Sequence, residues 1–161
     1  MIIKYTTVFA MTVLSALFWL QGCQKSNQFT LLTGESKSLE DYQGQWVVVN
    51  FWAEWCPPCL KEIPELNALD QSSKDIQVLG VSFDKLSNDE LKELMTILDI
   101  QYPVLATEPI PFLPMAKPQS LPATYIVTPT GEVLGPLMGE VSKQKLLDII
   151  EKIKQTSGYS S

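Results

Sequence analysis

The run Trp46 to Trp52 (WVVVNFW) is β-branched and aromatic, with Asn50 its one polar residue. Near-continuous apolarity over that length predicts a central strand buried on both faces. Directly after it, from Cys59 to Leu69, the apolar residues Leu60, Ile63, Leu66 and Leu69 recur at helical spacing. Ile76 to Phe83 repeats the buried-strand signature. Asn88 to Leu98 alternates acids and lysines with Leu91, Leu94, Met95 and Leu98, an amphipathic helix for Ser87 or Asn88 to cap. Tyr102 to Leu105 adds a short strand, and Ala123 to Thr128 and Glu132 to Met138 add two more, joined at Pro129-Thr130-Gly131. Ser142 to Lys154 closes the pattern as a helix. Upstream, Phe29 to Leu32 and Ser36 to Leu39 flank a turn at Thr33-Gly34-Glu35 and read as a small N-terminal β-hairpin. After it the order β-α-β-α-(β)-β-β-α predicts an α/β fold with a mixed central sheet and helices on both faces.

The first residues carry a different pattern. Lys4 precedes thirteen largely apolar residues, Val8 to Leu20, the length of the apolar stretch of an export signal. Leu20-Gln21-Gly22-Cys23 resembles a lipobox, with Cys23 as the lipidation site, although Gln21 departs from the usual small or aliphatic residue. An uncleaved signal anchor and plain secretion are the other readings, Met1 to Leu20 being about long enough to span a bilayer. All three place the domain outside the cytoplasm, where disulfides persist. The expected organisation is a lipoprotein-type signal peptide at 1–22, a tether at 23–28, one domain at 29–155 and a flexible tail at 156–161.

Composition narrows the chemistry. The 161 residues are 45% hydrophobic and 19% charged, enough for one core. The net charge of −6, with every one of the twelve cations a lysine, argues against a nucleic-acid partner. With no histidine there is no Ser-His or Cys-His pair and no histidine metal ligand. Cysteine is the most reactive side chain left. If Cys23 carries lipid, the two remaining thiols are Cys56 and Cys59.

Those two lie in Glu54-Trp55-Cys56-Pro57-Pro58-Cys59, between the central strand and the helix that follows. Unpaired N–H groups and the positive dipole end at a helix start stabilise a thiolate, and a second cysteine three residues on is within reach for a disulfide. In such motifs the first thiol titrates at roughly 3.5–7.5 rather than about 8.5, so it is a nucleophile at neutral pH. Pro58 is tolerated at the helix start, and Pro57 stiffens the loop while removing a further donor. Helix geometry predicts Cys56 exposed and Cys59 shielded. Structural zinc needs four ligands, haem attachment needs histidine at position 60, which is Leu60, and a structural bridge over so short a loop adds little stability. No metal and no cofactor beyond the disulfide itself is expected.

The run Val47 to Leu66 (VVVNFWAEWCPPCLKEIPEL), with Leu121-Pro122-Ala123-Thr124 downstream, resembles the thioredoxin superfamily, in particular its membrane-anchored TlpA/ResA/CcmG (DsbE) branch. The resemblance spans roughly residues 29–153. It implies a thioredoxin fold with a β-α insertion before a cis-proline, and thiol–disulfide exchange. Cys56 matches the nucleophile and Cys59 the resolving thiol. Pro122 matches the cis-proline, with Leu121 before it; Trp55, Pro57 and Pro58 line the substrate side; Pro64 matches a helix-kinking proline. Asn50 stands where ordinary thioredoxins have a buried aspartate, and Glu62 matches a carboxylate of this branch, three residues past Cys59 and suited to handle its proton. The chain departs from the family between Thr107 and Pro122, where prolines at 109, 111, 114, 118 and 122 replace a helix and predict an irregular loop beside the site. The implied activity is reduction of oxidised protein thiols with electrons from a membrane thiol donor, in cytochrome c maturation or thiol repair. A disulfide oxidase or isomerase of the same fold, and a tethered peptide-binding module, are the competing readings.

Overall fold

The computed structural model describes residues 27–157. The signal, the Cys23 site and most of the tether fall outside these residues. Within them, no helix is long and apolar enough to cross a membrane.

The expected hairpin is present, with β1 (Gln28–Thr30) antiparallel to β2 (Ser36–Ser38), followed by one 3-10 turn at Leu39–Tyr42. The central strand β3 (Trp46–Trp52) is buried along its whole length. It is flanked by parallel β4 (Ile76–Ser82) and antiparallel β5 (Ala123–Val127), and β6 (Val133–Met138) closes the order β4-β3-β5-β6. Helix α1 (Pro57–Asp70) joins β3 to β4, α2 (Asn88–Ile97) follows β4, and α3 (Lys143–Ser157) comes last. Helix α3 therefore runs through Ser157, two residues into the segment assigned to the tail. This is a thioredoxin fold, and β3 holds its centre because both faces of that strand are apolar.

The pleat divides the core. Trp46, Val48 and Trp52 face one cluster with Leu66 and Leu69 of α1, Leu91 of α2, and Leu146 and Ile150 of α3. Val47, Val49 and Phe51 face a second cluster with Phe29, Leu39, Leu79, Met115 and Tyr125. Helical cover is thus less even than expected. All three α-helices supply the first cluster, whereas the second face is covered by the hairpin, the 3-10 turn and the proline-rich segment. Prolines at 109, 111, 114 and 118 remove N–H donors too often for that segment to coil.

Two expectations change at the β4 edge. The insertion ahead of the cis-proline is a helix followed by a single parallel bridge, Gly80 to Val104, rather than a strand over Tyr102 to Leu105. Gly80 N–H donates to the Pro103 carbonyl at 2.8 Å and Leu105 N–H to the Gly80 carbonyl at 2.9 Å, but Pro103 has no N–H to extend the ladder. The approach is close enough to demand glycine. A Cβ on Gly80 would lie 2.9 Å from both the Tyr102 ring and Val104 Cγ2.

Candidate active site

Helix α1 begins where its sequence permits. Cys56, ahead of Pro57, is held out of the helical region (φ −104°, ψ 93°) because a proline ring crowds the residue before it. Pro57 and Pro58 then fill the first two helical positions, one residue earlier than expected, where no N–H is required. Cys59 N–H returns to the Cys56 carbonyl at 2.9 Å, and this turn brings the sulfurs into a disulfide of 2.04 Å with the Cα atoms 5.3 Å apart. Cys56 is not the exposed group expected: 4% of its surface is accessible, against none for Cys59. The order of access is as expected, but the surrounding fold covers both sulfurs in the oxidised protein. The helix continues through Pro64.

Beside the disulfide, Trp55 is 58% exposed. Its indole N–H donates to Asp84 Oδ2 at 2.7 Å, and its ring meets Phe83 edge-on with centroids 6.2 Å apart. Lys117 Nζ sits 3.8 Å above the Phe83 ring and donates to the Phe83 carbonyl at 2.7 Å. The Leu121–Pro122 peptide is cis, as the resemblance implied. Ala123 pairs with Phe51, so Pro122, buried, lies at the sheet end from which the active-site turn departs. Leu121 is half-buried between the two core clusters.

Beneath the turn lies a buried carboxylate. Glu62 has no accessible surface, shares α1 with Cys59, and accepts from Asn50 Nδ2 at 2.7 Å and from Val141 N–H at 3.0 Å. Asn50 also donates to Thr124 Oγ1 at 3.2 Å. Burial pushes Glu62 up from 4.5 to about 7; the Val141 and Asn50 donors and Lys145 oppose that rise, and Glu140 adds to it. Loss of water outweighs two good hydrogen bonds, leaving an acid that exchanges a proton near neutrality. Tyr102, buried nearby, is held protonated by burial first and by the Glu62 charge second.

The structure thus gathers Trp55, Cys56, Pro57, Pro58, Cys59 and Glu62 on one turn and its helix, with Leu121 and Pro122 at the same sheet end. Among the described residues no cluster of His, Cys, Asp or Glu is placed to hold a metal. Sequence reasoning missed Asp84, Phe83, Lys117 and Val141. Asp84 and Phe83, just past the end of β4, were the two with a signal, since loops at that end of a sheet converge on the site.

A thioredoxin fold with a Cys-x-x-Cys disulfide at the start of the helix after its central strand is the architecture of a thiol–disulfide oxidoreductase. The AhpC/TSA family matches residues 23–134. Thiol-disulfide oxidoreductase ResA of Bacillus thuringiensis subsp. konkukian is 30% identical over 125 residues, covering 77% of this chain and 72% of ResA. Thioredoxin-like protein YneN of Bacillus subtilis is 30% identical over 132 residues, covering 79% of this chain and 77% of YneN. Among solved structures, MTB dsbF in its mixed oxidized and reduced forms superposes with a TM-score of 0.65 at 25% identity, covering 78% of this chain and 93% of that one. The chain belongs to the AhpC/TSA family and is a TlpA/ResA/CcmG-like member of the thioredoxin superfamily, an oxidoreductase acting through thiol–disulfide chemistry.

Proposed function

We propose that the protein is an extracytoplasmic reductase of protein disulfides, with Cys56 as nucleophile and Cys59 as resolving thiol. The observation that carries the direction is the proline pair at the first two helical positions. A disulfide is a strong oxidant when its reduced form is stabilised, chiefly through the thiolate. Pro57 and Pro58 withhold two of the N–H groups a helix start normally offers, and Glu54 and Glu62 place acids on either side of the pair. These features oppose extreme stabilisation of the thiolate by the helix start, which favours the reducing end of the range. Equilibrated in glutathione or dithiothreitol buffers, the protein is expected to show a potential near thioredoxin's, roughly −270 mV, and far from the roughly −120 mV of a strong oxidase. A value above about −150 mV would assign it to the oxidase side.

The Cys56 thiolate attacks the partner's disulfide, forming a Cys56–substrate disulfide and releasing one substrate thiol. Glu62 takes the proton from Cys59, directly or through one water, and the Cys59 thiolate attacks Cys56 Sγ. The second substrate thiol leaves, two electrons have passed to the substrate, and the Cys56–Cys59 disulfide has formed. A membrane thiol donor returns the pair to the dithiol. Leu20-Gln21-Gly22-Cys23 supports anchoring through lipid on Cys23, and cytochrome c maturation or thiol repair are the settings that suit such a reductase. Protein isolated from membranes is expected to begin at an acylated Cys23; an intact Met1 would favour the uncleaved anchor.

A further inference from the structure

Beside the segment whose prolines rule out a helix, this chain places a cleft. It has a volume of about 310 Å³ and lies between the end of β4 and the proline-rich segment. That is the low end of the roughly 300–1,000 Å³ of sites that hold a ligand. Buried Phe51, Val81 and Met115 line the cleft. Ile110 and Phe112, 74% and 48% exposed, also line it.

The cleft walls are held in place. Asn88 Nδ2 donates to the Glu108 carbonyl at 2.8 Å, Phe112 N–H to the Gln28 carbonyl at 3.2 Å, and Tyr125 hydroxyl to the Ala116 carbonyl at 2.9 Å. The cleft also continues the active site. Phe83 lines it and makes the edge contact with Trp55, the residue before Cys56. Three charged side chains line it: Lys85, Lys117 and Asp84. Asp84 accepts from the Trp55 indole and keeps its charge, and Lys117 is seated on Phe83, so in a chain of net charge −6 the lining carries two cations against one anion, with Lys85 the exposed cation not engaged by Phe83.

We propose that this cleft is a second anchoring site for the protein substrate, taking a bulky apolar side chain beside a carboxylate a few residues from the substrate's reacting cysteine. It rests on the disulfide-exchange reading above, since a substrate chain joined to Cys56 and lying over Trp55 runs directly onto Phe83. The apolar side chain enters beside Phe112, and its acidic neighbour meets Lys85. Substrate choice then depends on a segment outside the Cys-x-x-Cys turn.

The test uses the full chain, reduced, in detergent. The probes are peptides whose one cysteine carries thionitrobenzoate as a mixed disulfide. One set places Phe-Asp at spacings of about two to six residues from the cysteine, at roughly 3.3 Å per extended residue; the other places Ser-Ser there. The best-spaced Phe-Asp peptide is expected to react about tenfold faster than its Ser-Ser partner. That ratio should collapse toward one in Phe112→Ser, and in Lys85→Glu the preference should move from Phe-Asp to Phe-Lys. Equal rates at every spacing in the wild type, or an unchanged ratio in Phe112→Ser, would overturn the proposal while leaving disulfide exchange intact. A preference that disappears as protein concentration rises would give the cleft to a second copy of this chain, also against the proposal. Failure to react with either peptide and with the symmetrical thionitrobenzoate disulfide would remove the exchange reading, and this inference with it.

Discussion

Cys59→Ala is expected to stop turnover with the substrate still attached to Cys56. In the wild type Cys59 attacks from within the same helical turn, its Cα 5.3 Å from that of Cys56. Effective molarities for such intramolecular attack reach about 10⁵–10⁸ M, so millimolar external thiol is no substitute, and turnover should fall by at least about 10³-fold. The mixed disulfide should be visible as a covalent adduct on a non-reducing gel, and its mass should place the substrate on Cys56. The reciprocal variant, Cys56→Ala, should form little adduct, because Cys59 has no accessible surface for an incoming disulfide. Faster adduct formation on Cys59 than on Cys56 would reverse the two roles.

Glu62→Gln is expected to slow resolution of that mixed disulfide by about 10²-fold near pH 7, the usual loss when a proton-transfer group is removed. The wild-type rate should carry an inflection near pH 7 that the variant lacks, since Glu62 titrates at about 7. Resolution at the wild-type rate between pH 6 and 9 would end the proton-transfer role. Stability supplies an independent readout. The carboxyl is raised in the folded state from 4.5 to about 7, so folding favours its protonated form. The corresponding stabilisation is fully present below about pH 4.5 and is lost as pH rises through about 7. A shift of that size corresponds to about 3 kcal/mol. Urea melts of the oxidised wild type should therefore show a fall between pH 5 and 8.5 that is largely absent in Glu62→Gln, whose amide keeps an acceptor for Val141 N–H. An equal fall in both proteins would show that some other group titrates.

What the sequence determined by itself was local in origin. The Trp46 to Trp52 run, the helical spacing of Ile63, Leu66 and Leu69, and the cap expected at Ser87 or Asn88, which Ser87 fills, act over a few residues, and each element forms within a residue or two of its expected place. The Cys-x-x-Cys pair was legible for the same reason, because a cysteine before two prolines is held at the start of a helix wherever that helix packs.

The tertiary structure decided what depends on distant residues. Asn50 and Glu62, 12 residues apart, were singled out separately, but only the packing of α1 on β3 joins them by a hydrogen bond. Val141, 79 residues from Glu62, adds the second donor, and no local pattern marks it. Asp84 reaches Trp55 across 29 residues, and Cys56 loses its expected exposure through groups that fold over it. The fold of the proline-rich segment was the least legible. Prolines forbid a helix there but do not say which face of the sheet the chain will cover. The apolar second cluster of Val47, Val49, Phe51 and Tyr125 decided that, by needing cover that no remaining helix supplied.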